Sequence, residues 1–431
     1  MDEALTTYII AGVIFLITFI VILSERVDRT ITALAGASAM VIAGLFFDFY
    51  SQEEAFETID LETLGLLLGM MILVALLADT GFFQYLATLT AKRSGGNPWR
   101  LLVILGSITT ILSMFLDNVT TIVLIAPVTV LIAEILGISP IPYLMAEALL
   151  SDTGGVATLV GDPPNILIGS AANLGFNDFL LRLAPIVFVA WLAVLFLLKF
   201  LFRKELAEKP EDPEALMHLD ERASLQDPIA LRRILIVLAG VILLFFLHTA
   251  LHLSPAFIAI LGAAAALLWV KPDVEEVLKE VEWSVLLFFS ALFVVVGGLE
   301  ASGLLDLLAE TITSMAASDV LLTGIILIWA GAILSAIVDN IPYTIVMIPI
   351  IQQLGATGID IGPLWWALAL GAGFGGNGTP IGSTANIITI KISERTRTPI
   401  TTRLWLRTGL PVMIVASLIG TLLYALTFPL M

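Results

Sequence analysis

The sequence predicts an all-α polytopic membrane protein, an inverted repeat of about 10 transmembrane helices with two re-entrant hairpins and two discontinuous helices. Three observations carry that expectation. Of 431 residues, 59 % are hydrophobic and 13 % charged, too apolar a composition for the surface of a water-soluble globule. "ILSMFLDNVTTIVLIAP" (Ile111 to Pro127) returns 222 positions later as "ILSAIVDNIPYTIVMIP" (Ile333 to Pro349). "GGVATLVGDPPN" (Gly154 to Asn165) returns 221 positions later as "GGNGTPIGSTAN" (Gly375 to Asn386), in the pattern G-G-x-x-T-x-x-G-x-x-x-N.

The elements follow in order. The acidic start, Met1-Asp2-Glu3, lacks the basic region and small-residue cleavage site of a removable signal, so Thr7 to Leu23 is expected to remain as the first helix. Ile31 to Phe47 gives the second. The acidic loop Asp48 to Glu62 leads to a span centred near residue 70, where Gly65 and Gly69 form a small-xxx-small pair suited to packing within the molecule. Further spans centre near 160, 290 and 380, or run over Ala184 to Leu201, Ile234 to Leu251, Phe257 to Val270 and Val412 to Leu430. Each approaches the ~20 residues that a crossing helix needs. Residues 203–231, rich in Glu, Lys and Pro, read as a cytoplasmic linker between a first repeat, 1–202, and a second, 232–431.

Upstream of the two motifs, "LETLGLLLG…LADTGFF" around 61–83 echoes "VEWSVLLFF…LEASGLL" around 281–305, so the whole first half is repeated. Each half holds five crossings plus the Asp-Asn run, which returns to its starting side. Five is odd, and the second copy therefore enters the membrane upside down. Such repeats mark secondary transporters, whose site lies between the copies near the midplane. Orientation follows Lys and Arg in short loops, and the net charge of -17 says little about it. With both termini outside, every basic loop falls on one side and Arg182 alone of the 20 basic residues lies opposite. That side is expected to be the cytoplasm, in a multi-pass protein of the cell membrane.

Two placements of Asp117-Asn118 are open: a surface turn between two full spans, or the tip of a re-entrant hairpin at mid-depth facing a water-filled cavity. The second motif favours the hairpin. Gly154, Gly155, Gly161, Pro163 and Pro164 interrupt an apolar stretch long enough to cross, and Gly375, Gly376, Gly378, Pro380 and Gly382 do the same in the other half. Unwound carbonyls there can hold a cation, and half-helix N-termini an anion. The expected site therefore joins Asp117, Asn118, Asp339 and Asn340 at the tips to Thr158, Asp162, Asn165, Asn377, Thr379 and Asn386 at the breaks. Ser113 and Ser335, each four residues before its Asp, add hydroxyls. A carboxylate at bilayer depth costs roughly 2.5 to 3.5 kcal/mol on insertion scales, and neither motif contains a Lys or Arg to pair with it. Protons, sodium or cavity water are left to hold the aspartates, with sodium expected at Asp117, Asn118, Asp339 and Asn340. The first half adds Glu147, Asp152 and Asp162 where the second has Ala367, Gly373 and Ser383; Glu147 and Asp152 fit either the site or the cytoplasmic water. With 0 cysteines, thiolate sites and disulfides are excluded, and His248 with His252 lacks an evident third ligand.

"FLDNVTT" (Phe115 to Thr121), "GDPPNILIGSAAN" (Gly161 to Asn173), "VEWSVLLFFSALFVV" (Val281 to Val295), "DNIPYTIVMIP" (Asp339 to Pro349) and "GGNGTPIGSTAN" resemble the ion transporter superfamily. The resemblance is to its arsenite-permease and NhaD-type antiporter branch, in the group that holds the melanosomal P protein and bacterial relatives. It implies a scaffold and a transport unit, a homodimer and an elevator motion. In the dicarboxylate branch the hairpin tips carry Ser-Asn-Thr and bind sodium; here Asp stands in place of that Ser. The expected function is sodium- or proton-coupled transport of a small anion, with sodium/proton antiport or arsenite efflux as the alternative and passive anion conduction as a further one. An enzyme is disfavoured because no nucleophile-base pair or metal cluster appears at depth. No cofactor is expected beyond bound Na+ or H+, and no partner beyond lipid, a small ion or anion and a second copy; nucleic acid is not among them.

Overall fold

The structure, a computed structural model, describes residues 2–24, 26–210, 218, 220–307, 309 and 319–430. Among these residues every regular element is helical. The first half gives α1 (Asp2–Leu23), α2 (Arg29–Phe47), α3 (Gln52–Glu57), α4 (Leu61–Asp79), α5 (Phe82–Ser94), α6 (Pro98–Ser113), α7 (Asn118–Leu136), α8 (Ile141–Gly155), α9 (Pro163–Ala172), α10 (Phe176–Arg182) and α11 (Ala184–Leu201). The second gives α12 (Pro228–Leu251), α13 (Pro255–Val270), α14 (Val274–Glu280), α15 (Trp283–Ala301), α16 (Val320–Val338), α17 (Asn340–Ala356), α18 (Gly362–Gly376), α19 (Thr384–Ser393) and α20 (Thr402–Thr427).

Local chemistry sets these ends. The carboxylates of Asp28, Asp60 and Asp227 accept from the first free N–H groups of α2, α4 and α12, and Ser254 and Thr401 do the same for α13 and α20. Capping starts α2 two residues before the expected Ile31, and α12 and α20 also begin upstream of their expected spans. Among the described residues nine helices are long and apolar enough to cross a membrane, while α6 and α13, at 16 residues each, reach about 24 Å. The lipid-facing character is plain on α1, where Ile9, Leu16, Ile17 and Ile20 are more than half exposed.

The halves share their architecture. Each contains an interrupted crossing of 15 helical residues, a break, and 10 more: α8 with α9, and α18 with α19. The register between these pairs is 221, which sets Leu368 opposite Glu147, one residue on from the expected Ala367. Each also contains a pair of helices meeting at Asp-Asn, α6 with α7 and α16 with α17, and each second member carries an internal proline, Pro127 or Pro349.

Two bodies result. In one, α4 packs along α13 and α2 along α15, so each half lends a helix to the other's pair. Gly69 permits this: a Cβ there would lie 2.5 Å from the Ala259 carbonyl carbon, and Gly65 faces Ala256 at 3.3 Å. The small-xxx-small pair is thus spent inside the chain. In the other body, α6 packs on α8, α16 on α18, α7 on α19 and α17 on α9. The α1–α2 turn and the start of α15 border one cavity, whereas the α12–α13 turn and the start of α4 border another. Because α2 and α13 each cross between these ends, α12 runs opposite to α1.

Of the expected linker, residues 211–217 and 219 lie outside the described residues. The rest is more than a solvated connector. Gln226 N–H donates to the Thr80 carbonyl at 3.0 Å and Lys92 Nζ to Glu221 at 2.5 Å, which clasps the linker to the α4–α5 corner and to the last turn of α5. The Lys92 ammonium holds the Glu221 carboxyl below its ordinary range.

Candidate functional site

Both Asp-Asn turns and both breaks converge where the halves meet, in the second body. The breaks are held open in the same way twice. Asn165 Nδ2 donates to the Thr158 and Val156 carbonyls at 2.8 and 3.0 Å, and Asn386 Nδ2 donates to the Gly376 and Thr379 carbonyls at 2.8 and 3.1 Å. The Thr158 hydroxyl donates to the Met114 carbonyl and the Thr379 hydroxyl to that of Ala336, tying each break to its Asp-Asn turn. These four side chains were expected to face a ligand; instead they satisfy backbone groups that the broken helices leave without partners. Only the Asn386 Oδ1 is left over, buried and without a donor. Gly155 and Gly161, like Gly376 and Gly382, let the two ends of each break touch, a Cβ on Gly155 falling 2.6 Å from the Gly161 oxygen and one on Gly382 2.5 Å from the Gly376 oxygen. Gly154 and Gly375 serve packing instead, against Thr110 and Ala332.

The aspartates divide into two kinds. Asp117 and Asp339 are N-caps of α7 and α17: Asp117 accepts from Thr120 N–H at 2.9 Å and from its hydroxyl at 2.5 Å, and Asp339 accepts from Ile341 N–H at 3.3 Å. Asp339 does so at φ +89, a strained backbone for a residue with a Cβ. Neither motif supplies it a cation, but α2 does, for Arg29 Nη1 lies 3.5 Å from its Oδ2. Asp152 and Asp162 are buried between the halves, not in the cytoplasmic water, and Glu147 is buried as well. Asp152 Oδ1 accepts from Asn118 Nδ2 of its own half and from Ser383 Oγ of the other, both at 3.1 Å. Asp162 accepts from Asn340 Nδ2 at 3.3 and 3.2 Å. Glu147 sits apart, taking the Thr129 hydroxyl at 2.5 Å.

Ser113 and Ser335 do not reach the aspartates four residues on. Ser113 Oγ meets Asn118 Oδ1 and the Ser151 carbonyl, and Ser335 Oγ donates to the Ala372 carbonyl at 2.7 Å. Asn377 Nδ2 crosses to Thr153 Oγ1 at 3.1 Å and leaves its Oδ1 buried and unpartnered. Asp152 Oδ2 is also buried without a partner, and a Cβ on Gly376 would lie 3.7 Å from it. The sequence pattern alone did not place Asp152, Thr153, Ser383 or Arg29 in the site. The first-half-only acids were the available signal for Asp152; nothing in either motif pointed to Arg29.

The opposite-end cavities differ in charge. One, of about 520 Å³, is lined by Arg29, Asp339, Glu282, Thr384 and Lys391 among others. The other, of about 350 Å³, has Glu62, Asp178, His248 and His252 in its wall and no Lys or Arg. His248 Nε2 accepts from Phe176 N–H at 3.2 Å, a backbone contact that occupies it. Among the described residues no three His, Asp or Glu side chains converge on one metal position.

A citrate transporter family model matches residues 19–371. A 46 kDa membrane protein of Mycobacterium leprae is 42 % identical over 414 residues, 95 % of this chain and 96 % of that one. The human P protein is 34 % identical over 497 aligned residues, which cover 96 % of this chain and 59 % of the longer protein. The solved YdaH transporter of Alcanivorax borkumensis, described as having an unusual topology, shares the fold with a TM-score of 0.60 at 17 % identity, over 90 % of this chain and 89 % of that one. The chain therefore belongs to the citrate transporter family of the ion transporter superfamily and is a transporter, not an enzyme.

Proposed function

We propose that this transporter is a secondary active carrier that moves a small anion together with sodium ions or protons, the cation sitting beside Asp152. One observation carries the reading. Where the halves meet, three buried oxygens lack any donor, Asp152 Oδ2 and the Oδ1 atoms of Asn377 and Asn386; Asp152 Oδ2 lies 3.7 Å from the place of a Cβ on Gly376, whose carbonyl accepts from Asn386 Nδ2. Buried polar groups are almost always paired, and buried oxygens that lack only donors are complementary to a cation or a proton. The surroundings point the same way, since Asp152 and Asp162 are both buried where the halves meet, in a medium where like charges repel strongly.

The anion follows from the difference between the half-helix N-termini. The first turn of α9 already has a carboxylate, Asp162, at its N-cap, whereas that of α19 has the neutral Ser383. The family description makes citrate the first anion to try. The elevator motion, the homodimer, the division into 1–202 and 232–431 and the cytoplasmic linker belong to the same proposal. The clasp between the linker and the α4–α5 corner supports only the last.

Purified protein in liposomes should accumulate citrate against its gradient when sodium or proton gradients are imposed, and Asp152→Asn should not. Gradient-independent equilibration would leave only a passive pathway. The extra first-half acids also suit sodium/proton exchange without an anion. Sodium uptake driven by an outward proton gradient in citrate-free liposomes would favour that second reading.

A further inference from the structure

Among the described residues Arg29 is the one basic side chain paired with an Asp-Asn turn, and it comes from the other body. Its Nη1 lies 3.5 Å from Asp339 Oδ2 and donates to Thr384 Oγ1 at 2.7 Å, and its guanidinium stacks 5.2 Å from the centroid of the Phe288 ring. Nη1 alone makes both polar contacts, so most of the five-donor fork is unused. The side chain is 28 % exposed, to the cavity of about 520 Å³. Lys391 lines the same cavity, two turns along α19 from Thr384 and so on the same helical face. The cavity at the opposite end has no such pair in its wall.

Resting on the carrier reading, we infer that Arg29 is the residue that selects and positions the transported anion, a small carboxylate, and that Asp339 occupies the guanidinium when no anion is bound. A carboxylate entering the cavity matches the free edge of the fork, with Lys391 and the N-terminal turn of α19 alongside. As it takes the guanidinium, it releases Asp339. That aspartate is then an uncompensated charge at depth and adds to the attraction for the cation beside Asp152. Anion and cation binding thereby strengthen each other, and the coupling is reciprocal. The Arg29–Asp339 pair gives symport a physical basis: a bare anion leaves the Asp339 charge unpaired, and a bare cation beside Asp152 gains nothing from an Asp339 already neutralised.

The test compares wild type, R29K, R29Q and the R29Q/D339N double variant in proteoliposomes, with citrate as probe anion and the cation whose gradient drives wild type. In wild type, the cation concentration for half-maximal uptake should fall as citrate rises. R29Q should raise the citrate KM tenfold or more and make cation affinity higher and independent of citrate, because Asp339 is then always uncompensated. R29K should keep the coupling with a smaller rise in KM. The double variant removes both charges and should fold, with the high cation affinity of R29Q gone. An R29Q protein with wild-type KM and only a lower maximal rate would make Arg29 a structural latch and overturn the inference. If wild type accumulates no citrate under any gradient, the carrier reading fails on its own. The Arg29 inference is then decided by the citrate-induced rise in Tm of purified protein, which must be present in wild type and absent in R29Q.

Discussion

Asp152 accepts from Asn118 of its own half and Ser383 of the other with one oxygen, while its second oxygen, near Gly376, is buried without a donor. An asparagine at that position keeps the accepting oxygen and removes the buried charge whose second oxygen lacks a donor. Asp152→Asn should therefore fold with an unchanged or higher Tm while losing gradient-driven accumulation and any stabilisation by the coupling cation. The affinity loss expected is roughly 10- to 100-fold, since a contact to a charged group is worth about 1.5 to 3 kcal/mol and 1.4 kcal/mol is a factor of ten. Asn165 predicts the reverse pattern. Its amide holds two carbonyls of the break below 3.1 Å, so Asn165→Ala should cost about 2 to 5 kcal/mol of stability, read as a lower Tm in detergent. The cation concentration for half-maximal effect should not move in whatever folded protein remains. The Asp-Asn and Gly-Gly-x-x-Thr patterns marked this region because charge and helix breakers inside apolar runs are visible in one dimension. Which atoms face a ligand was not visible, because Thr158, Asn165 and Thr379 turn to backbone groups whose need arises only once the helices part. Arg29 was hidden for the same kind of reason: its partner lies in the other half of the chain.

At the scale of elements, α4 and α13 approach closely enough that Gly69 has backbone, not a flexible side-chain tip, in the place of its Cβ. Gly69→Leu should therefore cost about 1 to 3 kcal/mol or more and lower the Tm, with Gly65→Ala much milder at its 3.3 Å contact. A wild-type Tm for Gly69→Leu would show that α4 and α13 are not packed this way. The long helices were legible from apolar length alone, and their caps explain the differences of a few residues at their starts. The short helices α3, α5, α10 and α14 were not. They lie at the ends of crossings, where composition is mixed and neither length nor periodicity marks them. The packing of α4 on α13 and α2 on α15 was equally invisible, since the repeat shows that two halves are alike without showing that they exchange partners.

At the scale of the whole molecule, the two cavities lie at opposite ends, and the charge bias predicts a compartment for each end. The cavity with Arg29 and Lys391 lies at the end where Arg26, Lys92, Arg93 and the linker cluster, so it should face the cytoplasm. The cavity with His252 should face outward together with the acidic segment around Glu53. The chain has 0 cysteines, so single substitutions report without a background. Lys391→Cys and Lys92→Cys should resist a membrane-impermeant maleimide added to intact cells and react in inside-out vesicles, whereas His252→Cys and Glu53→Cys should react in intact cells. Lys391 and His252 are both exposed, so reaction depends on compartment and not on burial. Labelling of Lys391→Cys and His252→Cys from the same side would contradict the opposed directions of α1 and α12, and with them the shared site between two inverted halves. Labelling with all four positions exchanged would keep the inversion and reverse the protein in the membrane. Citrate added on the Lys391 side should slow the labelling of Lys391→Cys in either orientation, because the anion that occupies Arg29 shields the lysine position one cavity wall away.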